Sequence, residues 1–294
     1  MVPVTTELPP TTPPAPRWHR YVAIGDSFTE GLWDREAEGS DACRGWADRL
    51  AEHLDARTPG GTEYANLAVR GRLLGPILTD QLPAALDLQP DLVSIVGGGN
   101  DILRPGVDVD RLADRLENAV VRVRETGADV LLATGVDADG SALLRLTRPR
   151  VATFNAHVWS IARRHGAFVL DQWGMRFIKD WRLWDVDRLH LTSEGHRRVA
   201  EGALEALGLE PTDPAWNTPL DAPDTEAWAV RARENAVWMR QHALPWMQRR
   251  LTGRSSGDGR SAKRPAPAAP GSGAAGEHAA GAPRDSAGSG ADEA

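Results

Sequence analysis

Residues 20–31 read RYVAIGDSFTEG: an apolar run, then Gly-Asp-Ser, then a short polar stretch ending in glycine. The apolar residues are continuous rather than alternating, which predicts a strand covered on both faces. Ser27 follows at its carboxyl end. A hydroxyl there is either a nucleophile or the polar start of a helix, and on its own the second meaning is the commoner one. What decides is whether the chain also supplies a base, a carboxylate to orient that base, and donors for an oxyanion.

Working outward, the same pattern repeats. EYANLAV (63–69), DLVSIVGGG (91–99), ADVLLATG (128–135) and AFVLDQW (167–173) are further strand candidates. Between them lie helix candidates. CRGWADRLAEHLDART (43–58) puts Trp46, Leu50 and Leu54 at helical spacing, and GPILTDQLPAALDL (75–88) carries an interruption at Pro83. Residues 109–127 and 147–166 each stop at a glycine, and 192–209 opens with Thr192 or Ser193 as N-cap. Strand alternating with helix predicts an α/β domain with a mostly parallel sheet and helices on both faces. Ligand sites in such sheets gather at the carboxyl ends of the strands. Ser27 and the Gly97–Asp101 stretch then open on the same edge.

Composition narrows the function classes. The net charge of −7 argues against a nucleic-acid binder, which needs a basic surface to neutralise phosphates. Cys43 is the only cysteine, so an intrachain disulfide and paired-cysteine zinc sites are excluded. Its setting at the start of an amphipathic helix reads as a half-buried structural thiol. The first 18 residues, MVPVTTELPPTTPPAPRW, lack a basic n-region and an apolar h-region, and residues 1–16 read as a disordered Pro-rich arm. No apolar run reaches the roughly 20 residues that span a bilayer. The expectation is a cytoplasmic protein without stable membrane insertion; no feature specifies an oligomeric state.

Residues 185–196, DVDRLHLTSEGH, hold Asp187 and His190 three apart just before a helix. On a turn this spacing lets the carboxylate hold one ring nitrogen while the other faces outward, and histidine titrates close enough to neutrality to serve as a base. Taken alone, the pair reads as a solvated loop pair. Donors for an oxyanion come from two stretches, NLAVRGRLLG (66–75) with Gly71 and GGGNDILRP (97–105) with Asn100. Glycine lets backbone approach a ligand closely, and the Asn100 amide offers a neutral N–H. Each stretch alone reads as an ordinary strand-to-helix turn.

Together the four blocks form an ordered set: Ser27 in GDSFTEG, Gly71 after the second strand, Asn100 in GGGND, His190 in D-x-x-H. The set resembles the SGNH hydrolases, also called GDSL-type esterases and lipases, over about residues 17–210. Ser27 does not sit in the G-x-S-x-G elbow of the α/β-hydrolases, since Thr29 stands where that pattern has its second glycine. The resemblance implies a flavodoxin-like three-layer α/β/α sandwich around a parallel five-stranded sheet. It also implies Ser27 as nucleophile, His190 as general base and Asp187 as its orienting carboxylate. The oxyanion hole would comprise the N–H groups of Ser27 and Gly71 and the amide of Asn100. A small-molecule acyl ester is the implied substrate, hydrolysed through an acyl-serine with no metal or organic cofactor. A catalytically silent binding module and an acyltransferase are the competing readings of the same scaffold.

The remaining features are read more plainly. Asp26 and Asp101 are expected to brace turns, and His157, His165 and His196 to sit at the surface of helices. Trp173, Trp181 and Trp184 either pack the last loop onto the sheet or wall a pocket, the first slightly favoured. Residues 211–251 are expected to form a C-terminal helical extension, with the helix itself over 221–251 carrying Trp228 and Trp238. From residue 252 to 294 the Gly/Ala/Ser/Pro-rich chain reads as a disordered tail, having little to bury against the entropy of ordering.

Overall fold

The computed structural model describes residues 18–37, 42–137, 144–221 and 256–272. The expected arm over 1–16 and the expected helix beyond residue 221 lie outside them. The strands are β1 (Arg20–Gly25), β2 (Glu63–Asn66), β3 (Leu92–Val96), β4 (Asp129–Ala133), β5 (Phe168–Leu170) and β6 (Arg264–Ala268). They form one sheet in the order β5-β4-β3-β1-β2-β6. The first five are parallel and follow the flavodoxin-like 2-1-3-4-5 arrangement. The expected five-stranded parallel sheet is therefore present, with a sixth, antiparallel strand added on β2.

That sixth strand corrects the expectation of a disordered tail over 252–294 for residues 256–272; the rest of that tail lies outside the described residues. The segment has little apolar surface to bury, but backbone pairing along the open edge of β2 needs none. Prolines 265 and 267 alternate with Arg264, Ala266 and Ala268, so the three N–H groups left share one side of the strand. Its other side is blunt, as suits a sheet edge.

The strands alternate between two cores. Val22 and Ile24 of β1, Val93 and Ile95 of β3, and Val130 and Leu132 of β4 point to one face. There they meet α3 (Leu74–Pro76), α4 (Leu82–Asp87), α6 (Val109–Arg124) and α7 (Arg148–His165). Tyr21, Ala23, Leu92 and Leu131 point to the other, against α2 (Trp46–Arg57) and α8 (Ser193–Ala206). Two short helices complete the set, α1 (Ser27–Glu30) and α5 (Gly99–Ile102).

Local details depart from expectation in instructive ways. The chain stays helical through Pro83, which occupies the first turn of α4; the irregularity is a π-turn at Ile77–Gln81, one turn earlier. Pro83 has no N–H to donate, and the wider turn absorbs the missing bond. Cys43 precedes α2 rather than starting it, and is buried in a bridge with Arg35. Thr192 is the N-cap of α8. Residues 211–221 run as turns back along α8, where Glu201 accepts from the N–H of Thr212 and Glu205 from the indole of Trp216. Among the described residues no helix is long and apolar enough to cross a membrane.

Candidate active site

β1 and β3 are neighbours whose carboxyl ends lead into α1 and α5, and the site is built at that switch point. Gly25 ends β1 in a crowded place: a Cβ there would lie 2.6 Å from both the Val96 carbonyl oxygen and the Thr29 hydroxyl. The Gln81 side chain pins it further, accepting from its N–H at 2.8 Å and donating to its carbonyl at 3.0 Å. Asp26 then caps α1, with Oδ1 accepting from the Phe28 N–H at 3.1 Å. Ser27 is thereby held half-buried on the first turn, and α1 ends one turn later at Gly31, whose φ of 87° is left-handed.

The second part arrives from a distant point in the chain. Arg188 has a positive φ of 53°, and the tight turn around it brings the N–H groups of Leu189 and His190 onto Asp187 Oδ1 at 2.9 and 3.0 Å. Asp187 Oδ2 lies 2.6 Å from His190 Nδ1. His190 Nε2 lies 2.8 Å from Ser27 Oγ, across 163 residues of sequence. Burial by itself would raise the Asp187 carboxyl. The hydrogen bonds from the His190 ring and from both N–H groups outweigh it, and the net shift is downward. The carboxylate is thus held ionised beside the imidazole. Asp187 and His190 are no solvated pair: both are largely withdrawn from water.

Asn100 enters on α5. Its amide donates to Asp26 Oδ2 at 3.0 Å and to the Arg72 carbonyl at 2.9 Å. Asp26 therefore does more than brace its own turn: one oxygen caps α1 and the other orients Asn100. Asp101 does brace a turn, accepting from the Leu74 N–H at 2.9 Å. Gly71, with φ 74°, occupies the turn that ends in Arg72, but it does not line the cavity that Ser27, Asn100 and His190 share. The buried Glu30 carboxylate on α1 joins this turn by accepting from the Arg70 N–H and guanidinium.

The shared cavity is about 470 Å³ and mostly apolar. Ile102, Val136, Val151, Phe154 and Ile178 supply its walls, and Trp181 and Trp184 also line it. The favoured packing role for these tryptophans is thus incomplete: Trp184 anchors the loop through its indole on the Ile178 carbonyl at 2.7 Å while presenting ring surface to the cavity. Trp173 stays outside, beneath the Arg148 guanidinium. His196 is corrected more sharply. It is buried, its ring 5.8 Å from that of Phe28, and its Nδ1 accepts from the Trp46 N–H at 3.3 Å. Burial pushes its pKa down to about 3. The α8 stripe Gly195, Val199 and Ala203 was the available signal, since a histidine flanked by such positions faces the sheet. His157 and His165 pair with Asp110 and Glu117 near the surface.

The model of the GDSL-like lipase/acylhydrolase family matches residues 23–198, more than half of the chain. The chain belongs to that family. Ester-bond hydrolysis is accordingly its activity class. Solved structures share the fold. Axe2, an acetylxylan esterase from Geobacillus stearothermophilus, aligns at 21% identity and a TM-score of 0.54, covering 67% of this chain and 97% of its own. TesA aligns at 24% identity and 0.52, covering 64% and 97%. LAE5, an α/β hydrolase from the Lake Arreo metagenome in Spain, aligns at 24% and 0.55, covering 65% and 95%. No curated protein sequence matches the chain.

Proposed function

We propose that this GDSL-family chain is a serine-dependent ester hydrolase working through an acyl-serine intermediate. One observation carries the reading: Ser27 Oγ, His190 Nε2 and Asp187 form a continuous relay of 2.8 and 2.6 Å contacts at an apolar cavity. His190 takes the Ser27 proton as Oγ attacks the ester carbonyl, and Asp187 stabilises the imidazolium so formed. The proton passes to the leaving alcohol. Water then gives its proton to His190 and attacks the acyl-serine, which releases the acid and restores Ser27.

The negative charge on the carbonyl oxygen in each step is met by the Ser27 N–H and the Asn100 amide. In the resting arrangement the Asn100 amide is given to Asp26 and the Arg72 carbonyl. As the oxyanion develops, the N–H directed at Asp26 turns towards it. The apolar walls suit the acyl portion of the ester and exclude water from the developing charge.

The test is labelling with a fluorophosphonate probe, comparing the parent with Ser27→Ala and His190→Ala, alongside turnover of p-nitrophenyl esters from acetyl to long acyl chains. Labelling and turnover in the parent, lost in both variants, are expected. A folded parent that neither labels nor turns over any ester overturns the reading.

A further inference from the structure

The family match ends at residue 198, yet the segment around β6 returns to the site's side of the sheet. The Lys263 ammonium donates to three acceptors, the number it can serve: the Glu30 carbonyl at 2.6 Å, the Cys43 carbonyl at 2.8 Å and Asp48 Oδ2 at 2.6 Å. Its side chain is only 20% exposed. Glu30 is the last residue of α1, the helix that carries Ser27. Earlier in the same strap of residues 256–268, Gly257 presses on the Arg70 carbonyl so closely that a Cβ there would overlap it. Arg70 precedes Gly71, and Arg72 holds Asn100.

We propose that residues 256–268 brace the oxyanion side of the site, with Lys263 and Gly257 as positioning residues. The inference rests on the esterase reading above. The connection is continuous. Lys263 fixes the end of α1, the Glu30 carboxylate ties α1 to Arg70, Gly257 backs the Arg70 carbonyl, and Arg72 orients the Asn100 amide. Beneath the strap, Ala262 packs on the core between the sheet and its first helical layer. Removing the ammonium takes away the one cation that the Glu30 and Cys43 carbonyls and the Asp48 carboxylate share, and the strap loosens from this anchor point. Oxyanion donors act on a charge that exists only in the transition state, so their misplacement lowers kcat and leaves KM in place. The cavity walls that set substrate binding, Val151, Phe154 and Trp181 among them, belong to other elements.

The experiment uses the full chain carrying Lys263→Met or Gly257→Ala. The second keeps every charge and pushes the strap off Arg70 by bulk alone, which guards against a Lys263 variant that fails to fold. Active sites are first titrated with the fluorophosphonate, so that a loss of folded protein is counted separately from a loss of rate. The expected result is a kcat per titrated site lower by about tenfold with KM within about twofold of the parent. Amide exchange in residues 69–73 is expected to speed up in both variants. Parent-like kcat per titrated site, or unchanged exchange in that turn, overturns the brace. A parent without Ser27-dependent turnover overturns the esterase reading instead, and is recognised before any variant is compared.

Discussion

Replacing His196 by glutamine should flatten the acid side of the stability profile. The ring lies in the buried layer beneath Phe28, and accepting the Trp46 N–H at Nδ1 requires the neutral form. Burial lowers its pKa from 6.5 to about 3. Between these values the unfolded chain binds a proton that the folded chain does not. Stability from this residue is therefore complete above pH 6.5 and is lost as the pH falls towards 3. At about pH 5 the deficit is about 1.5 pH intervals below the unfolded value, or about 2 kcal/mol. His53, also lowered by burial, contributes in the same direction to parent and variant and cancels in their comparison. The assay is urea unfolding of both proteins at about pH 7.5 and about pH 5, taking each protein's own loss. The variant should lose about 2 kcal/mol less than the parent over that interval, whatever its absolute stability. Equal losses would refute the argument, because they would mean that His196 takes up its proton in the folded state as readily as in the unfolded one.

Three further outcomes are expected. Asn100→Ala should lower kcat by roughly a hundred- to a thousandfold, about 2.7–4 kcal/mol of barrier, in steady-state assays on a p-nitrophenyl ester; an unchanged kcat removes Asn100 from the oxyanion site. Asp187→Asn keeps the side-chain size and removes the charge that supports the imidazolium, so kcat should fall by on the order of 10³ to 10⁴ while circular dichroism stays that of the parent. Glu194 is held down to about 2 by hydrogen bonds from Arg197 and Arg198, so the stability it adds is present above its ordinary 4.5 and fades as pH drops through about 2. Glu194→Gln should remove part of the parent's destabilisation below about pH 4.5 in thermal melts, and identical acid limbs would show that the pairing adds nothing.

The layered α/β architecture was legible in the sequence because its signals are local. A strand covered on both faces is apolar without alternation, as β1, β3, β4 and β5 are over most of their length, while β2 carries Glu63 and Asn66. Their helices carry caps and glycine stops that act within one turn, as at Thr192 and at Gly166, whose φ of 65° closes α7. The Asp187–His190 contact was open to reading for the same reason. Three residues around a tight turn leave few other arrangements, although the positive φ of Arg188 that makes the turn is invisible in the residue type.

Everything that joins distant segments was decided by the sheet. Ser27 and His190 meet because the parallel order places both loops at one edge, and 163 residues of spacing carry no information about a distance of 2.8 Å. The second contact of Asp26, the pinning of Gly25 by Gln81 and the Glu30–Arg70 pair are all of this kind. So are the faces that Trp181, Trp184 and His196 present, since a large side chain on a loop or helix is drawn towards whatever apolar surface the topology sets beside it. The strand at 264–268 is the clearest case. Its own residues have almost nothing to bury, and it is ordered by an open row of N–H and C=O groups on β2 and by three acceptors waiting for one ammonium. The chain by itself determined the five parallel strands, the longer helices between them and the chemistry they carried. Only tertiary structure decided which of them would touch, because pairing and burial depend on neighbours that sequence proximity does not specify.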